Sequence, residues 1–148
     1  MKRYIHAFLL YLAGFLLSFF LIAFFFVFEI SDTFYSFFVY GAVLEELFKF
    51  AVALIALRFG VKPLTTAFIG AGFGLGEQLV LFRLYDFAVM GLIAPWMHII
   101  TGVLMAWLLK RAVEQKTFKS YLIAFSAPLA VHALYNQFLA IILWWYTS

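Results

Sequence analysis

Long apolar stretches, separated by short groups of charged and turn-forming residues, divide the sequence into five segments. They cover about residues 4–28, 33–57, 64–82, 87–109 and 120–146. Each segment is close to or longer than the roughly 20 apolar residues that a helix needs to cross a bilayer. The pattern therefore predicts an all-α, polytopic integral membrane protein. In this prediction about five transmembrane helices form one bundle, and residues 1–148 make a single transmembrane domain.

The composition supports a lipid environment. Hydrophobic residues make up 68% of the chain and charged residues 11%, whereas ordinary soluble domains have about 45–50% and about 25%. A compact soluble domain of this length cannot bury so much apolar surface, so a soluble enzyme and a nucleic-acid partner are excluded. The chain has no cysteine, which excludes disulfide bonds, a thiolate nucleophile and thiolate metal ligands.

The distribution of basic residues predicts the orientation in the membrane. Eight lie on the side of the predicted N-terminus: Lys2, Arg3, Arg58, Lys62, Lys110, Arg111, Lys116 and Lys119. The opposite side holds only Arg83, together with Glu29, Asp32 and Asp86. Because cytoplasmic loops of membrane proteins are enriched in lysine and arginine, we expect a cytoplasmic N-terminus.

Some ionisable residues lie inside the predicted spans rather than between them. They are Glu45, Glu46, Lys49, Glu77, His98 and His132. A charged side chain at mid-membrane costs at least about 2.5–3.5 kcal/mol, so such residues need partners or a function. At a rise of 1.5 Å per residue, Glu45, His98 and His132 each lie about 18–19 Å from one end of their helix. The sequence therefore predicts a polar site at one depth of the bilayer.

The residue types at this depth indicate hydrolytic chemistry. A glutamate can act as a general base on water, with a histidine as its orienting partner or proton carrier. His132 and Asn136 are four residues apart, so they share a helix face and can donate hydrogen bonds to an oxyanion. Lys49 is placed to pair with either Glu45 or Glu46. We therefore expect hydrolysis of an amide bond within the membrane.

Two other functions are compatible with the same residues. Zinc accepts histidine and carboxylate ligands, and in a metal-dependent hydrolase the ligands would be Glu45, Glu77, His98 and His132. Chains of intramembrane glutamate, lysine and histidine also occur in proton-coupled or ion transport proteins.

The third predicted span is rich in glycine. Gly70 and Gly74 form one small-xxx-small pair, and Gly72 and Gly76 form a second. Such pairs allow helices to approach closely in membranes. We expect this run to serve helix packing.

Four motifs, in order along the chain, resemble those of the PrsW family of intramembrane proteases. Glu45-Glu46-Leu-Phe-Lys49 resembles its EExxK motif, and Gly72–Glu77 resembles its glycine-rich acidic motif. The segments 98–102 and 132–136 resemble the third and fourth motifs. The family belongs to the superfamily of CAAX proteases and bacteriocin-processing proteins. The resemblance spans about Glu45 to Asn136.

This resemblance implies a glutamate-type peptidase that needs no metal and no other cofactor. By analogy, Glu45 and His98 would activate water, and His132 and Asn136 would stabilise the oxyanion. Glu46 would act electrostatically beside them. Supporting positions would be Glu77, Lys49 and Thr101.

The resemblance also implies a setting and a partner. The location would be the prokaryotic cytoplasmic membrane, and the substrate a membrane-anchored protein such as an anti-sigma-factor-like or other single-pass protein. PrsW-like proteins usually have more helices than this chain. We therefore expect one of three forms. The chain is a minimal enzyme, a homo-oligomer in which neighbouring copies supply the missing helices around the site, or a relative that does not cleave peptide bonds.

Overall fold

The computed structural model describes residues 2–27, 34–84 and 88–147, with the side chains of 4–22, 41–80, 95–142 and 145. These ranges are almost entirely helical and contain no strand, so the all-α prediction is confirmed for them. The helices are α1 (Lys2–Val27), α2 (Phe34–Arg58), α3 (Ala67–Leu84), α4 (Ala88–Gln115) and α5 (Phe118–Thr147). A 3-10 turn, Pro63–Thr66, precedes α3. The predicted loop residues Glu29, Asp32 and Asp86 lie outside the described residues.

The helix bounds agree with the predicted segments except at the end of α4. This helix continues through its charged residues to Gln115, past the predicted end at about residue 109. Lysine, arginine, glutamate and glutamine are good helix formers, so a helix need not end where its apolar residues do. Lys116 then adopts a left-handed φ of 53° and its N–H donates to the Ala112 carbonyl at 2.8 Å. This arrangement is a common way to end a helix.

Among the described residues, three helical segments are long and apolar enough to cross a membrane: Tyr4–Ile22, Pro95–Gln115 and Phe118–Ile142. They belong to α1, α4 and α5. Helices α2 and α3 carry the ionisable residues Glu45, Glu46, Lys49 and Glu77.

Helix α3 lies between α1 and α4, and its glycines face both neighbours. A Cβ atom at Gly72 would collide with the Tyr11 carbonyl oxygen of α1, and one at Gly76 would lie 2.8 Å from the Phe15 carbonyl oxygen. The second small-xxx-small pair thus packs against α1. This contact is made by backbone against backbone, as expected for small residues in membranes.

The other glycine pair of α3 packs against α4. A Cβ atom at Gly70 would collide with the His98 carbonyl oxygen, and one at Gly74 would lie 2.8 Å from the Pro95 Cα atom. Gly102 of α4 completes this contact, since its own Cβ would lie 3.0 Å from the Gly70 Cα atom. The predicted role of the glycine run in packing is confirmed, with each pair serving a different neighbour.

Helix α2 lies mainly against α5. Apolar side chains mediate this contact, for example Phe50 and Phe125, whose ring centroids are 5.5 Å apart. The buried apolar core fills the end of the bundle near the 3-10 turn: Leu10, Ala53, Ala56, Val61, Ile69, Met105, Leu109, Ala112 and Ala124. Polar residues occupy the middle of the same bundle, next to this core.

Candidate active site

Six ionisable side chains from four helices meet in the middle of the bundle, and we call them the polar cluster. They are Glu45, Glu46 and Lys49 of α2, Glu77 of α3, His98 of α4 and His132 of α5. Glu46 and Lys49 are no more than 1% exposed, and both histidines are also buried. Such burial is rare for charged residues unless they are paired.

Lys49 joins two helices within the polar cluster. Its ammonium donates to Glu46 Oε1 at 2.5 Å and lies 3.0 Å from His98 Nδ1. The same nitrogen lies 5.0 Å from the centroid of the Phe73 ring, within the range of a cation–π interaction. Of the two carboxylates that the sequence allowed as partners, the structure pairs Lys49 with Glu46.

Each histidine of the polar cluster has a carboxylate partner from another helix. His98 Nε2 lies 2.5 Å from Glu77 Oε2, and His132 Nδ1 lies 2.8 Å from Glu46 Oε1. The two imidazole rings meet edge to face, with centroids 4.9 Å apart and an interplanar angle of 87°. These contacts fix the orientation of both rings.

Glu45 differs from the other acids of the polar cluster. Its Oε2 atom, like Glu46 Oε2, is buried and has no hydrogen-bond partner among the described residues. Glu46, however, contacts Lys49 and His132 through its Oε1 atom. Glu45 Oε2 lies 3.8 Å from His98 Nε2 and 3.7 Å from His132 Nε2. These separations are too long for direct hydrogen bonds, and a water oxygen placed between the atoms can reach all of them. Glu45 is therefore the carboxylate of the polar cluster that makes no direct hydrogen bond to the other described residues.

Two further predicted site residues lie beside the polar cluster. The Thr101 hydroxyl is buried and donates to the backbone carbonyl of His98 at 3.3 Å, so it supports α4 close to the histidine. Asn136 is half-buried and lies one turn after His132 on α5. All the predicted site residues are therefore in the described part of the chain, and six of them are in mutual contact through the polar cluster.

Sequence reasoning missed two aromatic residues, Phe73 in the site and Tyr135 in the motif that begins at His132. Phe73 stacks on His98, with ring centroids 4.8 Å apart, and also faces Lys49. The Tyr135 hydroxyl is buried without a hydrogen-bond partner among the described residues. The chain has 21 phenylalanines and 8 tyrosines, so composition cannot single out these two. Their position within the Gly72–Glu77 and 132–136 motifs was the available signal.

Three side chains at the centre also define a possible metal position. One ligand atom each from Glu45, His98 and His132 lies within 4.8 Å of the others. Zinc would accept this set of carboxylate and imidazole ligands. The geometry therefore admits two kinds of hydrolytic chemistry, by a base alone or by a metal.

Comparison of the chain with models of known protein families, with curated proteins and with solved structures finds no match. Assignment of a function therefore depends on the site itself.

Proposed function

We propose that this chain is an intramembrane endopeptidase of the glutamate type, similar to the PrsW family. It would cleave a peptide bond of a membrane-anchored protein with water activated by Glu45. The observation that carries the proposal is the convergence of Glu45, His98 and His132, whose ligand atoms lie within 4.8 Å of one another. These residues come from three helices and are separated by long stretches of sequence, so local spacing cannot account for their meeting.

The proposed membrane arrangement has five spans with the N-terminal end of α1 on the cytoplasmic side. In the part of the chain that the structure describes, three helices meet the length and hydropathy requirement. The other two expose large apolar side chains, among them Leu47 and Ile55 on α2 and Leu75 and Leu79 on α3. Exposed apolar surface of this kind is typical of contact with lipid. The excess of basic residues on one side supports the orientation, and we place the protein in a prokaryotic cytoplasmic membrane.

In the proposed reaction, Glu45 takes a proton from water as the water oxygen bonds to the carbonyl carbon of the scissile amide. The carbonyl oxygen becomes an oxyanion, which hydrogen-bond donors stabilise. The proton then passes to the amide nitrogen as the C–N bond breaks, leaving one carboxylic acid and one amine. The family resemblance would assign His98 to the water, and His132 with Asn136 to the oxyanion.

The motif resemblance also supports the proposal. Its four motifs contribute Glu45, Glu46 and Lys49, then Glu77, then His98, then His132. All of these side chains belong to the polar cluster. The proposed substrate is an anti-sigma-factor-like or other single-pass protein, and the bundle would act either alone or as a homo-oligomer in lipid.

The test uses the full chain in liposomes with a panel of fluorogenic single-pass peptides, and N-terminal peptide mass spectrometry on membranes of cells that express it. We expect new N-termini within hydrophobic segments, and their loss in Glu45→Gln. Glu114→Gln is the matched control, because Glu114 is exposed at the polar end of α4. Unchanged cleavage by folded Glu45→Gln would overturn the proposed mechanism.

A zinc-dependent hydrolase is the second candidate, favoured by the proximity of Glu45, His98 and His132. The two enzymes differ in metal content. Under our proposal, purified protein that cleaves peptides holds no stoichiometric zinc and retains its activity in a chelator. Bound zinc, with activity lost on chelation and restored by zinc, would favour the metal enzyme.

Transport is the third candidate, favoured by the chain of contacts from Glu46 through Lys49 and His98 to Glu77. Linked ionisable side chains of this kind occur along ion pathways. Proton or cation flux into liposomes that contain the protein, without any peptide cleavage, would favour transport over hydrolysis.

A further inference from the structure

The ring nitrogens of His98 have partners that determine where its proton lies. An ammonium group only donates hydrogen bonds, so His98 Nδ1 must accept from Lys49 at 3.0 Å. A neutral imidazole carries its proton on the other nitrogen. His98 Nε2 therefore bears the hydrogen and donates to Glu77 Oε2 at 2.5 Å.

His132 has the opposite arrangement. Its Nδ1 atom lies 2.8 Å from Glu46 Oε1, the oxygen that already accepts from the Lys49 ammonium at 2.5 Å. An ionised carboxylate is an acceptor only, so His132 Nδ1 must donate. The lone pair of neutral His132 is then on Nε2, the nitrogen 3.7 Å from Glu45 Oε2.

We propose that Lys49 and its partners hold the two buried histidines in opposite tautomers, and that this divides their roles in catalysis. His132 Nε2 is the proton-accepting nitrogen beside Glu45, and His98 Nε2–H is the hydrogen-bond donor. Lys49 acts as a positioning residue, directly on His98 and through Glu46 on His132. Glu77 positions His98 by accepting its Nε2 proton. The division of roles rests on the proposed function, whereas the tautomers do not.

The central geometry makes the two histidines complementary. Both Nε2 atoms face Glu45 Oε2, at 3.8 Å for His98 and 3.7 Å for His132. A water between them directs one O–H bond to Glu45 and the other to His132. As the water oxygen bonds to the substrate carbonyl carbon, one water proton goes to Glu45, and the His98 Nε2–H exchanges its Glu77 Oε2 acceptor for the oxyanion. As the C–N bond breaks, Glu45 gives its proton to the amide nitrogen, and His132 Nε2 takes the second water proton from the new carboxylic acid. This order reverses the histidine roles that the family resemblance implies.

The direct test is long-range ¹H–¹⁵N NMR of protein labelled with ¹⁵N-histidine in lipid. The chain has 3 histidines, so His6→Gln, His98→Gln and His132→Gln assign every signal. We expect the Nε2–H tautomer for His98 and the Nδ1–H tautomer for His132. The proposal is overturned if both have the same tautomer, or if either is doubly protonated at neutral pH.

Lys49→Met tests the positioning role. We expect the single His98 tautomer to be lost and replaced by a mixture, because Nδ1 no longer has an obligate donor. Lys62→Met is the control, since Lys62 is exposed in the loop before α3, and its spectrum should match the wild type.

If Lys49→Met does not fold, the Glu77→Gln variant tests the His98 tautomer instead. The amide oxygen still accepts, so the His98 signal should shift while its tautomer is retained, and a switched tautomer overturns the proposal.

Cleavage rates test the division of roles. Glutamine retains an N–H donor but has no nitrogen that accepts a proton. His98→Gln should therefore lower kcat by no more than the roughly 10²–10³-fold that follows loss of one oxyanion donor, and His132→Gln should lower it at least tenfold further. The opposite order would overturn the assignment. If the two histidines have opposite tautomers but no peptide is cleaved, the proposed function is contradicted and this inference is not. If peptides are cleaved but the two histidines have the same tautomer, this inference is contradicted and the proposed function is not.

Discussion

The two sides of the bundle are held together by different means. On one side, α3 packs against α1 and α4 through glycines, with backbone next to backbone. On the other, α2 reaches its neighbours through long side chains, including Lys49 on His98 and Glu46 on His132. Close glycine packing allows little adjustment and so fixes where Glu77 and His98 lie. The contacts of α2 instead combine apolar packing against α5 with polar contacts that depend on charge balance within the polar cluster.

The largest expected effect is on the charge-dependent side. Lys49→Met leaves the buried Glu46 carboxylate without its cation, which should lower the free energy of unfolding by about 3–5 kcal/mol. Chemical or thermal unfolding in detergent, followed by tryptophan fluorescence, measures this loss. The control, Lys62→Met, removes an exposed charge and should change stability by no more than about 0.5 kcal/mol. Equal stabilities of the two variants would show that charge balance does not hold α2.

A second substitution on the same side sharpens this point. Glu46→Gln combined with Lys49→Met removes both charges, so the double variant should be more stable than the sum of the single effects predicts. We expect a coupling energy of about 1–3 kcal/mol from a double-mutant cycle. If the two single effects on the free energy of unfolding add up exactly in the double variant, the ion pair between Lys49 and Glu46 does not contribute to stability.

The glycine-packed side should respond to size rather than charge. Gly72→Ala places a methyl group against the Tyr11 carbonyl, and we expect a loss of about 3 kcal/mol, at the upper end for overpacking. Gly41→Ala is the matched control, because its nearest neighbour, Glu45 Oε1, would be an ordinary 3.8 Å away. Thermal unfolding of both variants gives the comparison. A Gly72→Ala protein as stable as the control would contradict close α1–α3 packing.

The smallest expected effect concerns Thr101, which lies between the two sides. Its hydroxyl bonds only weakly, at 3.3 Å, to the His98 carbonyl, and valine has nearly the same shape. Thr101→Val should therefore cost about 1 kcal/mol, the net value of one hydrogen bond. A much larger loss in the same unfolding measurement would indicate a direct role of the hydroxyl in the polar cluster.

Much of the fold could be predicted because each helix is a local property of the chain. The apolar lengths give five helices with bounds close to those found, and α4 departs because charged residues continue a helix as well as apolar ones do. The site was predictable in its members for a similar reason. Any ionisable residue within an apolar span stands out, and Glu45, His98 and His132 stand out at a shared depth.

The partners within the site were not predictable. Lys49 can reach Glu45 or Glu46 on the same helix, and only the packing of α5 places His132 where it also bonds Glu46. Phe73 became part of the site because Gly72 and Gly74 face opposite neighbours, which turns the residue between them toward Lys49 and His98.

The sequence by itself determined the helices, their expected depth and the chemical groups available, since these depend on local composition and on a rise of 1.5 Å per residue. Tertiary structure decided which groups touch: Glu46 with Lys49 and His132, Glu77 with His98, and Glu45 without a hydrogen-bond partner among the described residues. The physical reason is rotation. A helix turns its side chains by about 100° per residue, as 3.6 residues per turn require, so contacts between helices depend on how each is rotated against its neighbours.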